Sequence, residues 1–293
     1  MKYRTLGRSG AEVSAVSLGG AYLGGEDADR AQENACAVVD RALELGVNYI
    51  DTAPLYGDSE KLLGGALAGE TRPFYLSTKV GFDPQDFDYS HDAVLWSLER
   101  SLKRLGVPRL FGAQLHEVNL AGWERIMKPG GGLEGLRAAQ KRGVCEIIGV
   151  TGRAIPLLTR LAATGEFDLL LFYHDYHPAK QLATEELLPA AAANGMGVVA
   201  ATVLAGGLYV GGEPQEKALG NIAEQDGEEA RERAEAVLAK LAAESGTLPQ
   251  KAFRYVLGDD RVSTVANGPS TIAHIEEMAA AAEMGPLEYF TAD

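Results

Sequence analysis

The chain has few of the residues that staple a protein, anchor it in lipid or bind it to polyanions. Among its 293 residues only Cys36 and Cys145 are cysteine. They lie far apart with no C-x-x-C spacing, so neither a disulfide framework nor a structural zinc site is indicated, and two buried thiols are expected. No stretch approaches the roughly 18 uninterrupted apolar residues of a membrane helix, and the opening MKYRTLGRSG has no apolar core behind its charges. A soluble, cytoplasmic protein is the expectation. Positive charge is scarce as well: 27 Lys and Arg stand against 41 Asp and Glu, a formal charge of −14. Binding a phosphate backbone takes a Lys/Arg stripe that releases counterions, so neither nucleic acid nor anionic membrane is an expected partner. Also missing is a G-x-G-x-x-G after the first strand; Gly19-Gly20 and Gly24-Gly25 stand there instead, which argues against an open dinucleotide-binding sheet.

What is present is a packed, repetitive α/β pattern. At 46% hydrophobic and 23% charged the composition is that of a folded protein. Length alone suggests about two domains, but α/β barrels run to about 250 residues or more as one unit. Short aliphatic runs alternate with segments of helical period. Eight strands are read: Val16–Leu18, Val47–Ile50, Phe74–Thr78, Leu110–Leu115, Glu146–Val150, Leu169–Phe172, Gly197–Thr202 and Val262–Ala266. The clearest helices are Gln32–Leu45, Glu60–Ala68, His91–Leu105, Gly132–Lys141, Ala183–Ala193 and Ile272–Ala282, several followed by a stop glycine such as Gly46, Gly106, Gly143 or Gly195. With no linker or composition break, the pattern predicts one closed (β/α)₈ barrel, a single domain over residues 1–293. Tyr3–Leu6 and Glu12–Ser14 read as a hairpin over its N-terminal mouth. The long interval from Thr202 to Val262 begins with Gly-rich turns and holds helices at about Gly227–Glu244 and Leu248–Leu257. Between Glu213 and Glu244 lie nine acids and four bases, read as a solvated outer face.

In a barrel of this kind the strand C-terminal ends point into the mouth where sites are built. Asp51, Lys79 and His116 close the second, third and fourth strands, and Tyr56 follows Asp51 in the run DTAPLYG. The pattern predicts that these four meet. His174-Asp175-Tyr176-His177 offers two histidines three apart, but no third ligand at a diagnostic spacing follows, so no metal site is expected.

Those stretches resemble the aldo-keto reductase family over nearly the whole chain. The likeness rests on MKYRTLGRSGAEVSAVSLGG, NYIDTAPLYG with SEKLLGGAL, STKVG, QLH, IIGVTG and FRYVLGDDRVSTV, and its form is similar to the bacterial branch with sugar and aldose dehydrogenases. The resemblance implies a catalytic tetrad of Asp51, Tyr56, Lys79 and His116, and interconversion of an aldehyde, ketone or aldose with its alcohol or lactone. Hydride transfer to a carbonyl leaves an alkoxide that needs a proton, and a phenol of pKa about 10 gives one up poorly at neutral pH. Lys79 near the hydroxyl is expected to lower that pKa, Asp51 to hold Lys79, and His116 to orient the carbonyl.

The resemblance also implies NAD or NADP. Thr151-Gly152 match the family's Ser-Asn pair at the nicotinamide carboxamide, with Gly152 lacking the amide, so that one hydrogen bond is missing or comes from elsewhere. Tyr176 matches the aromatic that stacks on the nicotinamide, and Leu204, Gly206 and Leu208 the loop over the pyrophosphate. Gly268, Ser270 and Thr271 open the last helix, whose N-terminus suits phosphate, and His274 and Glu277 are counted with them. The family's Arg for a 2′-phosphate is replaced by Ser270 and its adenine-side Asn by Met278, which leaves NAD and NADP equally open. Two other functions are weighed: a cofactor-binding regulatory module, and an aldolase using Lys79 as a Schiff base. Substrate contacts are expected from Tyr22–Arg30, Phe82–Tyr89, Val118–Gly131, with a mobile insert at Trp123–Gly132, and the segment beyond Tyr209; the oligomeric state is unread.

Overall fold

Runs of β-branched and aliphatic residues become the staves of a closed barrel in a computed structural model of the chain, which describes residues 1–81 and 87–287. Strands β1 (Tyr3–Thr5) and β2 (Glu12–Ser14) form an antiparallel hairpin. The parallel barrel strands are β3 (Val16–Gly19), β4 (Tyr49–Asp51), β5 (Tyr75–Val80), β6 (Leu110–Leu115), β7 (Cys145–Gly152), β8 (Leu169–Tyr173), β9 (Gly197–Ala201) and β10 (Thr264–Asn267), with β10 pairing β3 to close the ring. This is the (β/α)₈ architecture. Every residue of β6 is buried, as a strand with helices outside and side chains inside requires.

The helices are α1 (Ala31–Glu44), α2 (Ser59–Ala66), α3 (His91–Leu105), α4 (Val118–Met127), α5 (Gly132–Lys141), α6 (Ile155–Ala162), α7 (Leu187–Ala193), α8 (Gly212–Asp226), α9 (Glu228–Leu241), α10 (Leu248–Leu257) and α11 (Ile272–Met284). Their apolar faces pack on the outside of the sheet. The barrel interior is a separate cluster in which Tyr49, Phe111, Ile147, Leu169 and Val199 meet Leu6, Ala11 and Val13 of the hairpin segment. The hairpin therefore plugs the N-terminal mouth. Gly7 makes this close approach feasible: its φ is +52°, and any side chain there would collide with the backbone of Gly197.

Several expectations shift. The interval between β9 and β10 carries α8 as well as the two helices read from the sequence. Its opening Gly211-Gly212-Glu213-Pro214 reads as a turn, yet proline is tolerated in a first helical turn. Helix α7 starts at Leu187 instead of Ala183, because Pro189 bars helical backbone a turn before it. Trp123 belongs to α4, with the Arg160 guanidinium stacked 3.5 Å from its ring, so the expected insert shrinks to the turn around Gly130 and Gly131. Cys145 is buried but Cys36 is only partly so, correcting the expectation of two buried thiols. In the acidic stretch from Glu213 all the acids are exposed except Glu244. No helix among the described residues is long and apolar enough to cross a membrane.

Candidate active site

Strands β4, β5 and β6 are neighbours in the barrel, so the residues at their C-terminal ends converge. Asp51 ends β4, Lys79 lies next to the end of β5 and His116 follows β6; all three are buried. The Lys79 ammonium donates to Asp51 Oδ2 and, at 2.9 Å, to the carbonyl of Thr52. It sits 4.8 Å from the centre of the Tyr56 ring and hydrogen-bonds with the Tyr56 side chain. The ring of His116 meets Tyr56 edge-on, with centroids 5.8 Å apart. All four residues expected to meet are together.

The network extends to a residue that strand-end reasoning passed over. Gln114, inside β6, donates at 2.8 Å to Asp51 Oδ1 and accepts at 2.8 Å from the Thr151 hydroxyl on β7. Thus both carboxylate oxygens of Asp51 are engaged, and a buried chain joins Asp51 to Thr151. Buried polar groups left unpaired cost about 1–3 kcal/mol each, which is why such a chain has to be complete. The signal was available: Gln114 lies two residues before His116, and alternate strand residues share a face.

Protonation follows from burial. Desolvation alone would weaken the hold of Lys79 on its proton, but Asp51 and Tyr56 together carry it above the ordinary lysine value. Burial pushes the Tyr56 hydroxyl above its usual 10; Lys79 pulls the other way, as expected, but less strongly. The expected net lowering of Tyr56 is therefore corrected. Burial, with help from the Lys79 charge, drives His116 well below 6.5, so its imidazole is neutral at pH 7.

Above these groups opens a cavity of about 320 Å³ lined by Asp51, Tyr56, His116, Thr151, Tyr22 and Gly268 among others. Glu117 also lines it, with the backbone in the left-handed region at φ 48°, ψ 54°. Both its carboxylate oxygens accept from the Tyr173 hydroxyl, at 2.8 and 2.9 Å. Tyr89, expected among the substrate contacts, is instead buried and donates to the carbonyls of His116 and Glu117. Of the rest of that expected loop, Phe87 and Asp88 are exposed, and residues 82–86 lie outside the described residues. Three of the non-glycine residues with positive φ, namely Glu117, His174 and Thr202, border this cavity. Each costs on the order of 1 kcal/mol, a strain that collects where a ligand is held.

The cofactor residues expected from the sequence separate into groups. Thr151 and Gly268 line the main cavity. Ser270, Thr271 and His274 line a second one of about 480 Å³ at the start of α11, with Gly25, Glu26, Asp27, Arg30, Glu33 and Asn34. Gly152 is buried, and the Asn119 amide oxygen lies 2.9 Å from where its Cβ would be, so a side chain there would have to displace the end of the exposed Asn119 side chain. Gly206 borders a third cavity beside Arg153 and Lys180, while Leu208 is buried under α8 and Leu204 partly so. Tyr176 and Glu277 lie apart from all three cavities. Strand β8 ends at Tyr173, and His174, at φ 67°, turns the chain so that Tyr176 packs 5.7 Å from the Tyr255 ring and donates to Asp259; of these two tyrosines it is Tyr173 that lines the cavity. Glu277 accepts from the Thr247 hydroxyl at 2.6 Å, on the outer face between α10 and α11. His177 bonds the Tyr209 hydroxyl, and among the described residues no three His, Cys, Asp or Glu gather as a metal site.

A barrel with these side chains at its mouth defines a class, and comparison with known proteins agrees. The model of the aldo/keto reductase family matches residues 15–289, and the chain belongs to that family. It is similar to L-galactose dehydrogenase of Arabidopsis thaliana, 29% identical over 96% of this chain and 88% of that one. D-threo-aldose 1-dehydrogenase of a Pseudomonas species is 30% identical over 71% of this chain and 70% of its own. Among solved structures, an aldo-keto reductase of Bacillus halodurans in its holo form superposes with a TM-score of 0.80 at 26% identity, covering 98% of this chain and 93% of that one. The chain is an oxidoreductase of this family.

Proposed function

We propose that this enzyme interconverts a carbonyl and its alcohol, or an aldose and its lactone, using NAD or NADP, with Tyr56 as the proton donor and acceptor. The observation that carries the reading is a Lys79 ammonium clamped by Asp51 beside the Tyr56 hydroxyl, with the neutral His116 ring edge-on to the Tyr56 ring. The residues present fit a dinucleotide. Thr151 and the bare backbone of Gly268 line the main cavity, and Ser270, two residues on, borders the second cavity at a helix start suited to phosphate. A bound nicotinamide supplies the hydride acceptor or donor.

The chain's own groups handle the proton. His116, neutral, orients the carbonyl oxygen by a hydrogen bond. Tyr56, held protonated by burial, gives its proton to the nascent alkoxide, and Lys79 stabilises the phenolate that remains. In oxidation the same phenolate takes the proton back. A Schiff-base role for Lys79 is disfavoured, since Asp51 keeps its amine charged and non-nucleophilic. We infer further that NAD is preferred over NADP. Glu26, Asp27 and Glu33 surround the second cavity, and Arg30, its guanidinium, is already paired with Glu33 at 2.8 and 2.9 Å, so a 2′-phosphate meets more acid than base. The sugar dehydrogenases among the relatives make aldoses the first substrates to assay.

Tyr56→Phe is the test. It should retain cofactor binding, read by fluorescence quenching, while carbonyl reduction falls by about 10²–10⁴-fold, the usual worth of a general acid. Turnover near the wild-type rate would sink the assignment.

A further inference from the structure

Glu117 has no part in the proton transfer just described, yet it stands beside it. Its Oε1 lies 3.8 Å from His116 Nε2, the group that would hold the carbonyl oxygen. Its side chain lines the cavity. Its backbone is in a conformation unusual for a residue with a side chain, and two separate anchors keep it there: Tyr89 grips the carbonyls of residues 116 and 117, and Tyr173 grips the carboxylate. A strained residue held from both ends at the edge of a ligand cavity points to a binding task. Tyr173 is a donor only in this contact, because burial and Glu117 itself hold its phenol protonated. Each carboxylate oxygen has further lone pairs, so acceptor capacity remains towards the cavity.

We propose that Glu117 is a specificity residue that accepts a hydrogen bond from a substrate hydroxyl on the carbon next to the reacting carbonyl, selecting neutral hydroxy-aldehydes and aldoses over plain aldehydes and over anionic ones. A carbonyl oxygen bound at His116 Nε2 places the neighbouring hydroxyl within one hydrogen-bond length of that oxygen, and the 3.8 Å separation sets Glu117 Oε1 on the same scale. A carboxylate rewards a donor and repels an anion, so one residue supplies both preferences. Tyr173 is then a positioning residue that aims the carboxylate. The inference rests on the carbonyl chemistry proposed above and names the class of substrate for that site.

The test uses three aldehydes with a three-carbon skeleton: glyceraldehyde, propanal, which lacks the hydroxyls, and glyceraldehyde 3-phosphate, which adds an anion. Steady-state kinetics with wild type, Glu117→Gln and Tyr173→Phe should give a wild-type kcat/KM for glyceraldehyde about tenfold or more above either of the others, the scale of a hydrogen bond to a charged group. In Glu117→Gln the glyceraldehyde-to-propanal ratio should fall by about tenfold, mainly through KM, and the glyceraldehyde-to-phosphate ratio should fall as well. Tyr173→Phe should lower the same ratios less, and it carries the comparison if the Gln variant fails to fold. Ratios that stay constant in both variants, because all three substrates lose alike or none loses, would overturn the proposal and leave Glu117 a structural clamp. Wild-type turnover of none of the three would instead bring down the carbonyl reading, and this inference with it.

Discussion

At the floor of the main cavity, Asp51, Lys79, Gln114 and Thr151 are buried on strands and bonded to one another in a continuous chain. At the second cavity, Glu26, Asp27, Arg30, Ser270, Thr271 and His274 stand on turns and helix starts, and all but Ser270 are exposed. The floor is held by the hydrogen-bond ladder of the barrel, so its residues cannot be changed without leaving a buried charge or an orphaned polar atom. The rim is solvated, and its interactions are individually small and replaceable. Such a division lets one chemistry persist while the cofactor and substrate choices drift.

The comparison breaks most visibly at Lys79. Lys79→Met leaves Asp51 charged and buried beside an apolar chain, so stability should fall by about 3–5 kcal/mol in denaturant titration, with carbonyl reduction lost as well. A variant as stable as the wild type would mean that Asp51 takes up a proton readily and that the floor is less dependent on charge than its geometry implies. Gln114→Leu is the next largest: Asp51 Oδ1 and the Thr151 hydroxyl both lose a partner, for about 1–3 kcal/mol, and kcat should fall more than KM rises if Gln114 positions the tetrad. Equal loss in kcat/KM through KM alone would reduce it to a binding contact. At the rim, Ser270→Arg should change stability by no more than about 0.5 kcal/mol, as surface substitutions do, yet move the NADP-to-NAD preference several-fold toward NADP. No change in that ratio would put the ribose elsewhere than the second cavity.

The same contrast governs how much was legible in the sequence. The eight barrel strands and the residues at their ends were readable, because strand period and turn residues are local signals and the barrel converts strand ends into a shared mouth. Asp51, Lys79 and His116 came together for that reason. Gln114 shares the strand face of His116 and was legible from the period of two, though passed over; Glu117 was not, because whether the residue after a strand turns left-handed depends on neighbours distant in sequence. Tyr176 and Glu277 come from the family resemblance, and the structure sets both away from the main cavity, where one positive φ at His174, or the facing hydroxyl of Thr247, decides where the side chain goes. Helix α8 was hidden because its glycines and proline resemble a turn when read alone.

By itself the sequence determined the acidic charge of −14, the strand and helix alternation and the identities of the four residues that meet. These follow from composition and from periods a few residues long. Tertiary structure alone decided that Tyr56 is raised rather than lowered, since desolvation by the closed barrel outweighs the charge of Lys79. It also decided that Glu117 faces the cavity and Tyr176 does not. Burial and direction are properties of the whole packed barrel, and no local run of residues contains them.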